Sequence, residues 1–171
     1  ERTRITNLIK GLLDGLFPEF AQVFKDPCGL TAATVLTTCA IPGVIAAMSE
    51  EEFVTFIKST NRPQLRENKL RAIHSAAQTS IGIEAGAKSL AFEISFLIEK
   101  IELIKRQATV IEQRLIKLVD EAEEGKFLLS IRGLNYISVG GLLAELGCFK
   151  AYRTAKQMIK MAGSNPTESE S

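Results

Sequence analysis

Between Gly147 and Pro166 lie four cations, Lys150, Arg153, Lys156 and Lys160, and no acid. Arg153, Lys156 and Lys160 are three and four residues apart, a spacing that puts them on one face of a helix. The whole chain carries a net charge of only +1, so positive charge gathered here predicts a local footprint for phosphate groups. An ordinary solvated helix face is the other reading of the same residues. Just upstream, Ile131 to Ala144 reads as a hairpin between two helices. Gly133 supplies a backbone conformation that most residues resist, and Asn135 is among the few others that tolerate positive φ. Gly140 and Gly141 cost helix propensity and so predict close approach by a neighbouring backbone or by phosphate. A hairpin whose amides point outwards grips sugar-phosphate without reading bases. A tight helix–helix turn with glycines for packing would use the same residues. Gly133, Asn135, Lys150, Arg153, Lys156 and Lys160 are therefore the candidate nucleic-acid contacts, with DNA as the candidate partner.

Other chemistry is thinner. The polar tail from Ser164 to Ser171 offers serine hydroxyls, but a serine becomes a nucleophile only when a base, a metal or positioned cations activate it. The single histidine, His74, reads as a packed or surface residue, and no Ser-His-Asp grouping or phosphate-binding P-loop can be drawn. Asp120, Glu121, Glu123 and Glu124 read as a solvated helix end, where negative charge is unfavourable. Four acids within five residues cannot all face one ion on a helix. Cys28, Cys39 and Cys148 are odd in number and lack paired-ligand spacing, which argues against disulfides and a zinc site and fits a reducing cytoplasm.

The elements that must position these groups are helical. Apolar residues recur at helical spacing from about Arg4 to Leu16, with a break near Pro18. Short helical pieces follow, punctuated by Pro27, Gly29, Pro42 and Gly43. Ser49 with Glu50, Glu51 and Glu52 reads as an N-cap and acidic first turn. Another helix follows Pro63 and carries Leu65, Leu70, Ile73 and Ala77. From Ile83 through Ala87, Leu90, Ile94, Leu97, Ile101, Ile104, Ala108, Ile111, Leu115 and Leu118 to Ala122 the apolar spacing alternates between four and three. That is a coiled-coil seam, and such a rod would be on the order of 60 Å long. Gly125 is expected to end it. A long helix packed inside its own bundle remains the other reading, because Ile98, Leu103, Ile116 and Val119 widen the stripe. Pairing of the rod predicts a homodimer. Strand-like alternation is absent, so the expected fold is all-α. Residues 1–80 read as a helical linker region, 81–124 as a long coiled-coil helix, and 125–171 as the start of a small helix-hairpin-helix-like region.

A chain of 171 residues with 46% hydrophobic content has enough material for a packed core and is too apolar for disorder. No apolar run approaches the roughly 20 residues of a membrane span, so no membrane partner is expected. Glu1 opens inside a helical pattern and Ser171 closes inside a loop, which reads as a part of a longer protein.

With these pieces in place, the run from Ile131 to Ser171 resembles the C-terminal transposase domain of the insertion-sequence 110/116/902 family. The matching segments are Ile131-Arg132-Gly133-Leu134-Asn135, Leu142-Leu143-Ala144-Glu145-Leu146-Gly147, Thr154-Ala155-Lys156-Gln157-Met158 and Ala162-Gly163-Ser164-Asn165-Pro166. The N-terminal stretch through Phe20 resembles the linker that follows the family's first domain. Arg132, Asn135 and Ser164 depart from the proline, glycine and leucine usual at those places. The resemblance implies a DNA recombination reaction guided by a structured RNA, with a serine oxygen attacking a phosphodiester. The family's serine maps onto Ser171, with Ser169 as the alternative match. It also implies a RuvC-like domain ahead of Glu1 whose four acids hold divalent metal, magnesium. This chain carries no counterpart of that metal site, so no cofactor is expected on it and it is expected to be inert by itself. A non-enzymatic helix-hairpin-helix DNA-binding module and a structural coiled-coil adaptor are the competing readings.

Overall fold

The computed structural model describes residues 1–60, 64–147 and 152–161. Every regular element among them is helical, so the all-α expectation holds. The chain forms two compact units, Glu1–Lys105 and Arg106–Ser171.

The first unit holds helices α1 (Arg2–Leu16), α2 (Phe20–Val23), α3 (Leu30–Thr38), α4 (Pro42–Ala46), α5 (Glu50–Lys58) and α6 (Glu67–Gln78), and the start of α7 (Ala87–Glu121). Helix α3 is buried on nearly every side, from Thr31 to Leu36, as expected of a helix that is apolar all round. Its two buried polar side chains both find partners: Thr34 Oγ1 donates to the Leu30 carbonyl at 2.8 Å, and Thr31 Oγ1 accepts from the Arg66 amide at 3.2 Å. Around it pack Ile5, Ile9, Leu13 and Leu16 of α1, Phe53 and Ile57 of α5, Leu70 and Ile73 of α6, and Ile94, Leu97, Ile98 and Ile101 of α7. Helix α5 begins as its sequence dictates. Ser49 accepts from the Glu52 amide while the Glu52 carboxylate accepts from the Ser49 amide and hydroxyl, a reciprocal cap. The Ser49 hydrogen bonds hold the Glu52 carboxyl below its ordinary range. His74 is buried, 5.9 Å from the Phe53 ring. Its Nε2 lies 2.8 Å from the Met48 carbonyl oxygen, so that nitrogen carries the proton and donates.

The connection from α6 to α7 is irregular and closely fitted. Gly82 packs on the Leu16 carbonyl, where any Cβ would lie 2.8 Å from the carbonyl carbon and closer still to its oxygen. The Ile83 amide donates to the Gly15 carbonyl at 3.0 Å, and Glu19 accepts from Ser80 Oγ at 2.6 Å and from the Ile81 amide at 3.1 Å. Ile83, expected to open the rod, therefore lies outside the helix.

Helix α7 runs 35 residues without glycine or proline, about 52 Å at 1.5 Å per residue. Its seam has more than one environment. Ala87, Ile94, Leu97 and Ile101 belong to the first unit's own core, while Ala108 and Ile111 are exposed. Leu115 packs with Val119 in the second unit.

That unit continues with α8 (Glu123–Leu129), α9 (Tyr136–Leu146) and α10 (Ala155–Met161). The rod does not end at Gly125. It breaks at Ala122, whose backbone is extended, and Gly125 sits inside α8, buried, where a Cβ would meet the Val119 carbonyl and lie 3.1 Å from Val119 Cγ1. The four acids consequently straddle the break. Asp120 and Glu121 close α7, whereas Glu123 and Glu124 occupy the first turn of α8, where the helix dipole favours negative charge. The core of this unit is small among the described residues: Val119, Leu128 and Val139, flanked by Leu115, Leu129, Leu134, Leu142 and Leu143.

Candidate nucleic-acid interface

Helices α8 and α9 are joined by a short turn. Gly133 adopts φ +99° and has nothing within 4 Å of where a Cβ would stand, so glycine is required there by backbone conformation and not by close contact. Asn135 does not take the positive φ expected of it. Its backbone is extended, and its side-chain oxygen accepts from the Ser138 amide at 2.9 Å, capping α9. One amide of the hairpin expected to face phosphate is thus already occupied. The Leu134 amide is likewise taken by the Ile131 carbonyl at 3.1 Å, and that of Val139 by the Asn135 carbonyl at 2.9 Å.

The two helical glycines separate in role. A Cβ on Gly140 would lie 3.0 Å from Leu115 Cγ, so Gly140 lets α9 close on α7. Gly141 is exposed with nothing within 4 Å; the structure gives no packing reason for it. Tyr136 strengthens the same contact: its hydroxyl donates to Asp120 Oδ1 at 3.1 Å. That hydrogen bond and the carboxylate's charge push the phenol above its ordinary value.

Past α9, the Tyr152 hydroxyl donates to the Leu146 carbonyl at 2.8 Å. Arg153 lies two residues before the start of α10, and its amide donates to Gln157 Oε1 at 2.9 Å. Arg153, Lys156 and Lys160 are all exposed, and among the described residues no carboxylate pairs with any of them. Arg153 lies outside α10, so the single helix face expected for all three holds only for Lys156 and Lys160, four residues apart on that helix. Lys150, Ser169 and Ser171 lie outside the described residues.

Among the described residues no pairing of a nucleophile with a base emerges. His74 is committed to Met48, and among the described residues no group of three or more His, Cys, Asp or Glu side chains could hold a metal ion. Cys39 is buried, which pushes its thiol above the ordinary range and away from reactivity. No helix among the described residues is long and apolar enough to cross a membrane.

Arg66, Lys69 and Arg71 give a weaker version of the same charge signal in the sequence, and the fold divides them. Arg71 pairs with Glu50 and with Glu67, whereas Arg66 and Lys69 meet Lys25 at a cavity. The signal available was local and could not show Lys25, some forty residues away. No protein-family model, no curated protein and no solved structure matches the chain.

Proposed function

We propose that the chain is a nucleic-acid-binding part of a DNA transposase or recombinase of a mobile element, gripping DNA through the cations of its second unit and pairing with a second copy along α7. The observation that carries this reading is the acid-free run of exposed Arg153, Lys156 and Lys160. In the first unit three cations are neutralised: Lys58 pairs with Glu67, Arg71 with Glu50, and Lys100 with Glu1 at 3.4 Å. Exposed cations attract phosphates and release counterions when they bind. They give no sequence readout, so specificity would come from elsewhere, consistent with the structured guide RNA that the family resemblance implies as a further partner.

Support for pairing comes from α7. Val110, Ile111 and Leu118 are 63%, 67% and 57% exposed, and fully burying such a side chain contributes about 1.5–3 kcal/mol. The second unit's small core gives it a further reason to bury them. The resemblance makes Ser171, or alternatively Ser169, the nucleophile toward a phosphodiester, and in that family acids of a separate domain hold the magnesium. The chain by itself is then a DNA binder that does not cut.

Fluorescence anisotropy with a 30-base-pair duplex, read across salt, tests the grip. Three phosphate contacts give a slope of log K against log salt near −2.7, or about 40-fold weaker binding from 50 to 200 mM. Lys156→Glu should weaken binding and flatten that slope by about one contact. Absent binding at 50 mM, or binding indifferent to Lys156→Glu, refutes the reading. Sedimentation should show a dimer at micromolar concentration that Ile111→Glu dissociates; a clean wild-type monomer refutes the pairing.

A further inference from the structure

We infer that the cavity bounded by α2, the first turn of α3 and the start of α6 is a binding site for a phosphate ester. It has a volume of about 610 Å³, within the range of small-molecule sites and several times what a bare phosphate ion needs. Three cations line it: Lys25, Arg66 and Lys69. Lys25 follows α2, while Arg66 and Lys69 lie at the head of α6, so their meeting across some forty residues is a product of the fold.

Each cation is placed differently. Lys69 is half-buried, and its ammonium is fixed by one hydrogen bond, Nζ to the Val23 carbonyl at 2.8 Å. Two N–H groups of that ammonium remain. The Arg66 amide donates to Thr31 Oγ1 at 3.2 Å, which ties the head of α6 to the head of α3. Among the described residues its exposed guanidinium has no carboxylate partner, although Arg71, one and a half turns on, has two. Lys25 is also exposed and without an ion pair among the described residues. The single acid on the wall is Asp26, and its Oδ1 accepts from the Cys28 amide at 2.9 Å, so part of its charge is already engaged.

The chemistry of the ligand follows from this inventory. Three cations against one part-engaged carboxylate leave an excess of about two positive charges, which matches a phosphate dianion better than a carboxylate. Arginine's planar fork suits phosphate oxygens bidentately. Leu30, Thr31 and Ala32, whose first-turn amides have no partners within α3, line the same cavity. Val23, Phe24, Leu30 and Ala32 give part of the wall an apolar surface, beside Gln22 and Gln64, and this part would hold the carbon stem of an ester. The site lies in the first unit and owes nothing to the cations at the C-terminal end.

Calorimetric titration of the full chain with ribose 5-phosphate, ribose and inorganic phosphate tests the site. Ribose 5-phosphate should bind at least tenfold more tightly than ribose and more tightly than inorganic phosphate. Arg66→Gln and Lys25→Gln, both exposed and expected to melt like the wild type, should each weaken it about tenfold, and Lys156→Glu should leave it unchanged. Displacement of ribose 5-phosphate by an oligonucleotide with a 5′-phosphate, but not by the same strand with a 5′-hydroxyl, identifies a strand end as the natural source. Tight binding without that displacement identifies a small ester. No heat with ribose 5-phosphate at millimolar concentration overturns the site, as does affinity unchanged in a folded Arg66→Gln/Lys25→Gln variant. Inorganic phosphate binding as tightly as the ester overturns the assignment of an ester stem.

Discussion

Replacing Gly82 with alanine tests whether the α6–α7 connection is locked onto the end of α1. The new methyl would lie 2.8 Å from the Leu16 carbonyl carbon, where carbon atoms prefer about 3.5–4.0 Å. The obstacle is backbone, which no rotamer change relieves, so the segment must retreat by at least about 0.7 Å. The Ile83 amide sits 3.0 Å from the Gly15 carbonyl, and a retreat of that size takes it beyond the roughly 3.2 Å limit of a good hydrogen bond. The bond from the Ile81 amide to Glu19, at 3.1 Å, is strained by the same motion. One neutral bond and one to a charged group amount to about 2–4 kcal/mol, in line with overpacking costs of about 1–3 kcal/mol at well-fitted sites. Urea unfolding read by hydrogen exchange on α3 peptides reports the first unit alone. Gly82→Ala should lower its midpoint by about 1–2 M, given m-values on the order of 1–3 kcal/mol/M. Gly11→Ala is the control. Gly11 is exposed inside α1 with nothing within 4 Å, so alanine there should stabilise by about 0.5–1 kcal/mol. A Gly82→Ala midpoint within error of the wild type, or above it, refutes the packing argument.

Glu19 anchors the same connection. Burial pushes its carboxyl up, but hydrogen bonds from Ser80 and from the Glu19 and Ile81 amides outweigh that and hold it below its ordinary 4.5. A depressed carboxyl contributes stability above its unfolded value that is lost as pH falls through the folded one. Glu19→Gln should therefore be less stable than wild type at pH 7, with the gap closing below about pH 4.5; a gap that persists unchanged at pH 3 contradicts the assignment. Asn135→Ala removes the α9 cap and should destabilise the second unit by about 1 kcal/mol, read by exchange on α9 peptides, while Asn135→Ser recovers most of it. Equal stability of the alanine and serine variants would show that the cap contributes nothing.

The locally determined features were legible from residue types. The reciprocal Ser49–Glu52 cap and the uninterrupted helix from Ala87 follow from rules that act within a few residues. The φ of Asn135 was misread because asparagine serves two local purposes, and Gly133 alone supplies the left-handed residue. Gly125 was taken for a stop signal, but the break falls at Ala122, a residue with no breaking preference. The glycine instead lets α8 press on the Val119 carbonyl.

The amino-acid order by itself determined that the chain is helical, that a capped helix starts at Ser49, and that cations cluster at the C-terminal end without acids among them. Spacing and charge are properties of the chain that no packing can change. The tertiary structure alone decided which stretch of one continuous apolar seam is buried in the chain's own core and which is left exposed. It also decided that Arg71 is neutralised while Arg66 and Lys69 meet Lys25 around a cavity. These outcomes depend on contacts between residues tens of positions apart, and a periodicity reports only a face, never what covers it.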